Sequence, residues 1–193
     1  MSKPIVGVLA LQGDFVEHVE ILHSLNIPTQ EVRNISDANM TAGLIIPGGE
    51  STAIGKLLKS TKLDKWIKNN ATNGYPVFGT CAGCILIAQD VDSEYSLKLI
   101  DITVSRNAYG RQLDSFETIL TGTKLKNVHG IFIRAPKITK VSSTVNILLK
   151  YKKEPVLVQQ DNILAGTFHP ELSTNAVVHE YFAKLVKKFN YHE

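Results

Sequence analysis

Short apolar runs alternate with longer amphipathic stretches along the first half of the chain. The runs predict four strands, at residues 5–11, 29–33, 42–46 and 76–79. Apolar side chains recur at helical spacing in four stretches between and after them, at residues 14–25, 51–58, 63–70 and 82–89. Runs that are apolar along their whole length are typical of strands buried on both faces. The alternation therefore predicts an α/β fold in three layers, with a mainly parallel sheet flanked by helices.

The middle of the chain has a strand-like pattern with little helix. Six further strands are predicted, at residues 97–105, 116–121, 130–134, 146–151, 156–160 and 163–168. They are expected to complete a mixed sheet and to form a small antiparallel extension. Residues 175–189 then predict an amphipathic helix. Since the chain shows neither an internal repeat nor a linker, residues 1–193 are predicted to form a single domain.

Composition and charge narrow the possible functions. Lys and Arg total 21 against 18 Asp and Glu, so the formal net charge is only +3. This spread-out excess does not indicate a nucleic-acid partner. The longest nearly apolar stretch, residues 77–88, is shorter than the roughly 20 residues that span a membrane, so no membrane partner is expected. Two cysteines are too few to staple a secreted fold of this size, and the sequence predicts a cytoplasmic protein.

The segment Gly79-Thr80-Cys81-Ala82-Gly83 carries the strongest chemical signal. It has the form Gly-x-nucleophile-x-Gly between a predicted strand and a predicted helix, which is the context of a nucleophile elbow. A helix N-terminus beneath the sulfur favours a thiolate, and the amide of Ala82 would face an oxyanion formed by attack at Cys81. The alternative is a buried structural cysteine. The two flanking glycines favour the nucleophile.

A thiolate nucleophile needs a base and a proton donor, and the chain has six histidines. Among them, His169 follows a predicted strand at the carboxyl edge of the sheet, where such folds bind ligands. Pro170 keeps His169 out of the helical region, so that Glu171 would share its face in an extended segment and orient the imidazole. Glu171 could equally be a solvated loop residue. For His18 and His23, which lie on a predicted amphipathic helix, a surface or packing role is expected. His129, His179 and His192 carry no functional signal.

The segment Pro47-Gly48-Gly49-Glu50-Ser51 follows the third predicted strand and opens a helix. A glycine pair lets backbone amides approach a ligand, so Gly49 would supply a second oxyanion donor. Glu50 could bind a cationic group, and Ser51 could cap the following helix. Pro-Gly-Gly is also an ordinary turn, so this segment alone is a weak signal.

Arginine is scarce and unevenly placed. Only four of the 21 basic residues are arginines, and three of these, Arg106, Arg111 and Arg134, lie between Cys81 and His169. Arginine suits bidentate recognition of a carboxylate or phosphate better than lysine does. Surface salt bridges would explain this placement equally well.

Together these motifs resemble the glutaminase subunits of pyridoxal 5'-phosphate synthase, which are class I (triad) glutamine amidotransferases. The resemblance extends over residues 5–189. The elbow and Phe168-His169-Pro170-Glu171-Leu172 occur in many amidotransferases, whereas the stretches in the middle of the chain narrow the resemblance to this subunit. The matching segments are residues 11–15 with Glu17-His18, and residues 47–52, 79–83, 106–112, 114–116, 132–136 and 168–172.

This resemblance implies a flavodoxin-like class I fold and the hydrolysis of L-glutamine to glutamate and ammonia. It implies that Cys81 attacks the carboxamide to form a γ-glutamyl thioester, that His169 protonates the departing ammonia and that Glu171 orients His169. It also implies that the amides of Gly49 and Ala82 hold the oxyanion. The substrate contacts carried over by the resemblance are Gly49, Glu50, Ser51, Arg106, Ile133 and Arg134.

The resemblance further implies a partner. Ammonia would pass to a synthase (lyase) subunit that builds the pyridoxal phosphate ring in a hetero-oligomeric complex, so this chain is expected to need neither a cofactor nor a metal. Gln12-Gly13, after the first predicted strand, is a candidate for partner-dependent completion of the site.

Cys84 departs from the family pattern, which has an aliphatic residue there. The Cys81-x-x-Cys84 spacing also marks redox sites, so a reversible disulfide that silences Cys81 is one hypothesis. The other is that Cys84 fills an aliphatic slot in the core. Three rival functions stay open: the glutaminase of another synthase such as imidazole glycerol phosphate synthase, a cysteine hydrolase or chaperone on a related elbow fold, and a catalytically silent binding module.

Overall fold

A computed structural model of the protein describes residues 3–92, 95–106 and 115–190. The helices are α1 (Phe15–Ser24), α2 (Ile35–Ala38), α3 (Ser51–Thr61), α4 (Leu63–Thr72), α5 (Ala82–Ile87) and α6 (Val177–Asn190). The strands are β1 (Val6–Leu9), β2 (Thr29–Val32), β3 (Gly43–Ile46), β4 (Val77–Thr80), β5 (Ala88–Val91), β6 (Ile100–Ser105), β7 (Ser115–Leu120), β8 (Val128–Ile133), β9 (Lys137–Val141), β10 (Asn146–Tyr151), β11 (Glu154–Gln160) and β12 (Ile163–Gly166).

A seven-stranded sheet forms the middle layer, in the order β10-β11-β12-β4-β3-β1-β2. The five strands from β12 to β2 are parallel, whereas β11 is antiparallel to both β10 and β12. All residues of β1, β3, β4 and β12 are buried. This confirms the predicted mixed, mainly parallel sheet, and it explains why these runs are apolar throughout.

Two hydrophobic clusters cover the two faces of this sheet. Neighbouring strand residues alternate between them, since Ile46 belongs to one cluster and Ile45 to the other. Side chains of α3, α4 and α5 complete the first cluster, and those of α1 and α6 complete the second. The result is the predicted three-layer arrangement, in which α1 and α5 reach the same end of β4 from opposite faces.

Two small sheets form the antiparallel extension. Strand β6 pairs in parallel with β5 and antiparallel with β9, and β7 forms an antiparallel pair with β8. The amide of His169 donates to the carbonyl of Ile131 at 2.8 Å, which ties β8 to the segment after β12. The extension therefore borders the carboxyl end of the parallel strands.

Four elements, α5, β5, α2 and β9, differ from the sequence prediction. The helix predicted over residues 82–89 ends at Ile87, because residues from Ala88 onward turn extended and pair with β6 as β5. The short helix α2 and the strand β9 were not predicted. Strand β9 has a mostly polar pattern, and it is a strand because β6 pairs with it. Within the described ranges, no helix has both the length and the apolar character needed to cross a membrane.

Candidate active site

Cys81 lies at the apex of the turn between β4 and α5. Its backbone has φ 47° and ψ −104°, a conformation that strains a residue with a side chain. The flanking glycines allow this turn: a Cβ on Gly83 would lie 2.0 Å from the carbonyl oxygen of Ile46, and one on Gly79 would lie 2.5 Å from the backbone of Gly83. The motif therefore forms a tight strand-to-helix turn that presents Cys81 at the carboxyl end of β4.

His169 and Glu171 reach this turn from the neighbouring strand. Because β12 pairs with β4, with Gly166 opposite Thr80, the residues that follow β12 lie beside the elbow. His169 Nδ1 lies 2.7 Å from Glu171 Oε1, and these residues are only 4% and 6% exposed. Glu171 lies in a 3-10 turn, Pro170–Leu172, and not in the extended segment that the sequence predicted. The pair nevertheless forms, because the turn places both side chains on its inner side.

The electrostatics of this pair favour a charged imidazole. Burial by itself would lower the pKa of His169, but the Cys81 side chain and the hydrogen-bonded Glu171 carboxylate together raise it to about 10. Burial raises the pKa of Glu171, and His169 opposes that change. At neutral pH, His169 can therefore hold the proton that a leaving group needs.

A cavity of about 490 Å³ opens in front of Cys81 and His169. Of the predicted catalytic, oxyanion and substrate-binding residues, all of which lie within the described ranges, Glu171 alone does not line it, because it is buried behind His169. Asp14, which was not singled out as a site residue, lines the cavity with its Oδ2 3.6 Å from His169 Nδ1. The predicted site residues in the lining are Gly49, Glu50, Ser51, Cys81, Ala82, Arg106, Ile133, Arg134 and His169.

Glu50, and not Ser51, caps helix α3. The Glu50 carboxylate accepts hydrogen bonds from the amides of Thr52 and Ala53 at 3.0 and 2.6 Å, and the Thr52 amide is the main cause that lowers its pKa. The predicted capping role of Ser51 is thus wrong. Ser51 is 3% exposed, and its Oγ has no hydrogen-bond partner among the described residues. A buried hydroxyl in a cavity wall without a partner is a group that a ligand can satisfy.

Gln12 braces the loop that carries Gly49. Its Oε1 accepts a hydrogen bond from the amide of Glu50 at 2.9 Å. Gly49 has φ 143°, and a Cβ there would lie 2.8 Å from Gln12 Oε1, so only glycine fits. Arg106 also lines the cavity, and its Nη2 lies 3.8 Å from Glu50 Oε1. Arg111 and the rest of residues 107–112 lie outside the described residues.

Two buried histidines that sequence reasoning did not assign to the site lie behind Glu171. His18 Nε2 is 3.3 Å from Glu171 Oε2 and 3.1 Å from Thr80 Oγ1, and His18 Nδ1 is 2.9 Å from His179 Nε2. Both rings are fully buried. The packing role predicted for His18 is correct and the surface role wrong. One signal could have shown this, since His18 lies four residues before Leu22 on the apolar face of α1.

Residues 8–188 match the model of the SNO glutamine amidotransferase family. The chain belongs to this family. It is 47% identical over 186 residues to pyridoxal 5'-phosphate synthase subunit PdxT of Thermotoga sp. (strain RQ2), covering 94% of this chain and 99% of that protein. It is 46% identical over 187 residues to the subunit of the same name from Desulforamulus reducens, covering 95% and 100%.

Solved structures agree with this assignment. One described as the crystal structure of glutamine amidotransferase superposes with a TM-score of 0.91 at 42% identity, covering 94% of this chain and 98% of that chain. The structure of PurLQS from Thermotoga maritima matches with a TM-score of 0.64 at 18% identity, over the full length of both chains. The second likeness concerns the fold alone. The flavodoxin-like amidotransferase fold expected from the resemblance is thus confirmed.

Cys84, the departure from the family's pattern, is fully buried in the cluster on the α5 face of the sheet. Burial raises the pKa of its thiol, and the neighbouring Cys81 adds to this. Both cysteines are free thiols. A neutral thiol among aliphatic side chains fits the hypothesis that Cys84 fills a core slot better than it fits a redox partner.

The site also contains a group of possible metal ligands. Donor atoms of Asp14, His169 and Glu171 lie within 4.8 Å of one another. His169 Nδ1 and Glu171 Oε1 are already joined at 2.7 Å, which is the geometry of a hydrogen bond. That no metal is needed stays a prediction.

Proposed function

We propose that this chain, as a single domain over residues 1–193, is the glutaminase subunit of a pyridoxal 5'-phosphate synthase. It hydrolyses L-glutamine to glutamate and ammonia and passes the ammonia to a synthase (lyase) subunit. One observation carries the proposal: in a member of the amidotransferase family, Cys81 lies on a strained elbow at a cavity that His169 also lines, and His169 is hydrogen-bonded to buried Glu171. This arrangement matches the roles that acyl transfer from an amide requires.

In the first half of the reaction, Cys81 Sγ attacks the side-chain carboxamide carbon of glutamine. The carbonyl oxygen becomes an oxyanion, and the C–N bond then breaks as His169 gives its proton to the leaving nitrogen. The products are ammonia, a γ-glutamyl thioester on Cys81 and a neutral His169. The raised pKa of His169, about 10, supports its role as this acid at neutral pH.

In the second half, water attacks the thioester carbon while His169 accepts a proton from the water. The C–S bond breaks, the new γ-carboxyl group loses the remaining proton of the water to solvent, glutamate leaves, and the thiolate and the protonated imidazole are restored. Glu171, at 2.7 Å from His169 Nδ1, holds the ring with Nε2 facing the reaction and stabilises its positive charge. The same carboxylate therefore serves both halves.

Substrate binding is assigned to the open side of the cavity. The amides of Gly49 and Ala82 hold the oxyanion. The Glu50 carboxylate, whose pKa is lowered, stays anionic and attracts the α-ammonium group. Arg106 and Arg134 are the two lining arginines that can receive the α-carboxylate, and Ile133 lies beside them.

Partner dependence and location belong to the same proposal. The bond between Gln12 and the Glu50 amide fixes the loop that holds the Gly49 amide, so a synthase subunit that contacts residues 12–13 can complete the oxyanion site. This would prevent wasteful hydrolysis by the free subunit. The complex is expected to work in the cytoplasm, because both cysteines are free thiols, as is typical of proteins in that reducing compartment.

The test is ammonia release from L-glutamine, measured with and without the cognate synthase subunit. We expect release that the partner stimulates and that Cys81→Ala abolishes. Cys84→Ala is the matched control, since it removes the other thiol of the same segment and is expected to retain activity. Equal release by the wild type and Cys81→Ala would refute the nucleophile, and no release by folded, reduced protein with its partner would refute the function.

A further inference from the structure

The buried histidine pair behind Glu171, His18 and His179, takes no part in the bond-making and bond-breaking steps of the proposed reaction. We propose that His18 is a positioning residue: its Nε2–H faces Oε2 of Glu171 at 3.3 Å and so fixes the carboxylate that orients His169. His179 in turn fixes the tautomer of His18. This inference rests on the proposed function for its effect on catalysis, but its hydrogen-bond arrangement can be tested without any activity.

The number of ring protons supports this arrangement. Burial lowers the pKa of His18 well below its usual range and that of His179 to about 3, so both rings are neutral at pH 7. Each ring then carries one N–H. His18 Nδ1 and His179 Nε2 are 2.9 Å apart, so one of these two nitrogens donates and the other accepts. Only two tautomer arrangements are possible.

In the first arrangement, His179 Nε2–H donates to His18 Nδ1, and His18 Nε2–H points toward Glu171 Oε2 and Thr80 Oγ1. The contact to Glu171 is 3.3 Å. It is imperfectly aligned, because Oε2 makes no hydrogen bond of good geometry among the described residues. His18 Nε2 is nevertheless the nitrogen that this oxygen faces, and the contact is electrostatic.

In the second arrangement, His18 Nδ1–H donates to His179. The lone pair on His18 Nε2 then accepts from Thr80 Oγ1 at 3.1 Å but also faces a buried carboxylate oxygen at 3.3 Å. The single proton of His179 would then be on Nδ1, which has no partner among the described residues. A buried N–H without a partner and a lone pair against a carboxylate both cost free energy. The first arrangement leaves a lone pair on His179 Nδ1 without a partner among the described residues, but it avoids both of these penalties, so it is the one that we assign.

Glu171 needs such a donor because its carboxylate is almost fully removed from water. His169 engages Oε1, and Asp14 adds a negative charge nearby that raises the pKa of Glu171 further. Titratable groups from four parts of the fold surround the Glu171–His18 contact: Asp14 before α1, Cys81 at the elbow, His169 after β12 and His179 on α6. The Thr80 hydroxyl at the elbow is a neutral polar neighbour. His18 is therefore the neutral donor on the side of Glu171 away from the substrate.

The first test is the steady-state kinetics of glutamine hydrolysis by two variants, His18→Leu and His18→Gln. Leu22→Ala is the control, since it removes a buried side chain one turn further along α1. For His18→Leu we expect kcat to fall about 10- to 100-fold, as for loss of a hydrogen bond to a charged group, with an unchanged KM for glutamine. The acidic limb of the pH profile should move up by about one unit, because Glu171 becomes easier to protonate. His18→Gln, whose amide can donate in the same direction, should recover most of both effects.

Leu22→Ala should lower Tm without moving the acidic limb. If His18→Leu lowers Tm but leaves kcat and the limb unchanged, or if Gln recovers nothing, then His18 only fills space and the proposal is overturned. A wild type that releases no ammonia with its partner would instead count against the proposed function.

The second test is the tautomer state of the folded wild type, read from the ¹⁵N shifts and two-bond couplings of the imidazole nitrogens at pH 7. We expect both His18 and His179 as the Nε2–H form. An Nδ1–H form at His18 would overturn the assignment whether or not the protein is active.

Discussion

The two sides of the Cys81–His169 pair differ in burial and in hydrogen bonding. On the inner side, Glu171, His18 and His179 are enclosed by β4, α1 and α6, and each contacts the next. On the outer side, Glu50, Arg106 and Arg134 line an open cavity at the ends of loops and small sheets. Under the proposed function, the inner side sets the protonation and orientation of His169, whereas the outer side selects the substrate.

The comparison predicts distinct kinetic signatures for the two sides. A change on the inner side should alter kcat and the pH profile, because those groups never meet the substrate. A change on the outer side should alter KM, because under the proposed function those groups bind substrate and transition state to a similar extent.

The largest effect is expected from Glu171→Gln on the inner side. The amide keeps the shape of the side chain but removes the charge that stabilises protonated His169, so kcat should fall by about 10³-fold or more. The alkaline limb of the profile, expected near pH 10 in the wild type, should move to lower pH because Glu171 raises the pKa of His169. Steady-state kinetics from pH 5 to 11 measure both. The exposed Glu20→Gln is the control, and a Glu171→Gln profile that matched it would contradict the division into two sides.

An intermediate effect is expected from Arg106→Gln on the outer side. Arg106 lines the cavity within 3.8 Å of Glu50, so its loss should raise KM for glutamine about tenfold and change kcat little. Arg33→Gln is the matched control, since Arg33 pairs with Glu31 on the surface. A fall in kcat without a change in KM would move Arg106 to the chemical step. The same experiment on Arg134 would then decide which arginine receives the α-carboxylate.

The smallest effect is expected from Cys84→Val. A valine fits the aliphatic surroundings of this position, so Tm should change by only a few degrees and the kinetics should stay as in the wild type. The intact mass of the wild type under mild oxidation tests the disulfide hypothesis in parallel. A loss of two daltons that is absent in Cys84→Val, together with lost activity, would establish a redox switch at Cys81.

Much of the fold and the front of the site could be predicted from the chain alone. The apolar runs at β1, β3, β4 and β12 identified the parallel strands, since burial on both faces leaves a local pattern. The glycines around Cys81 identified the elbow, because a turn this tight excludes a Cβ. No local sequence pattern predicted the 3-10 turn that contains Glu171, although the pairing of Glu171 with His169 was correctly expected.

The sequence by itself determined the layered fold, the tight turn at Cys81 and the family, because hydrophobic periodicity, glycine positions and short motifs are local properties of the chain. The tertiary structure decided which groups meet across long separations. It placed His18 and His179, which are 161 positions apart, in contact behind Glu171. It also assigned the α3 cap to Glu50 and left the Ser51 hydroxyl unpartnered within the described part of the chain. These contacts depend on how the helices pack on the two faces of the sheet, and no local pattern encodes that packing.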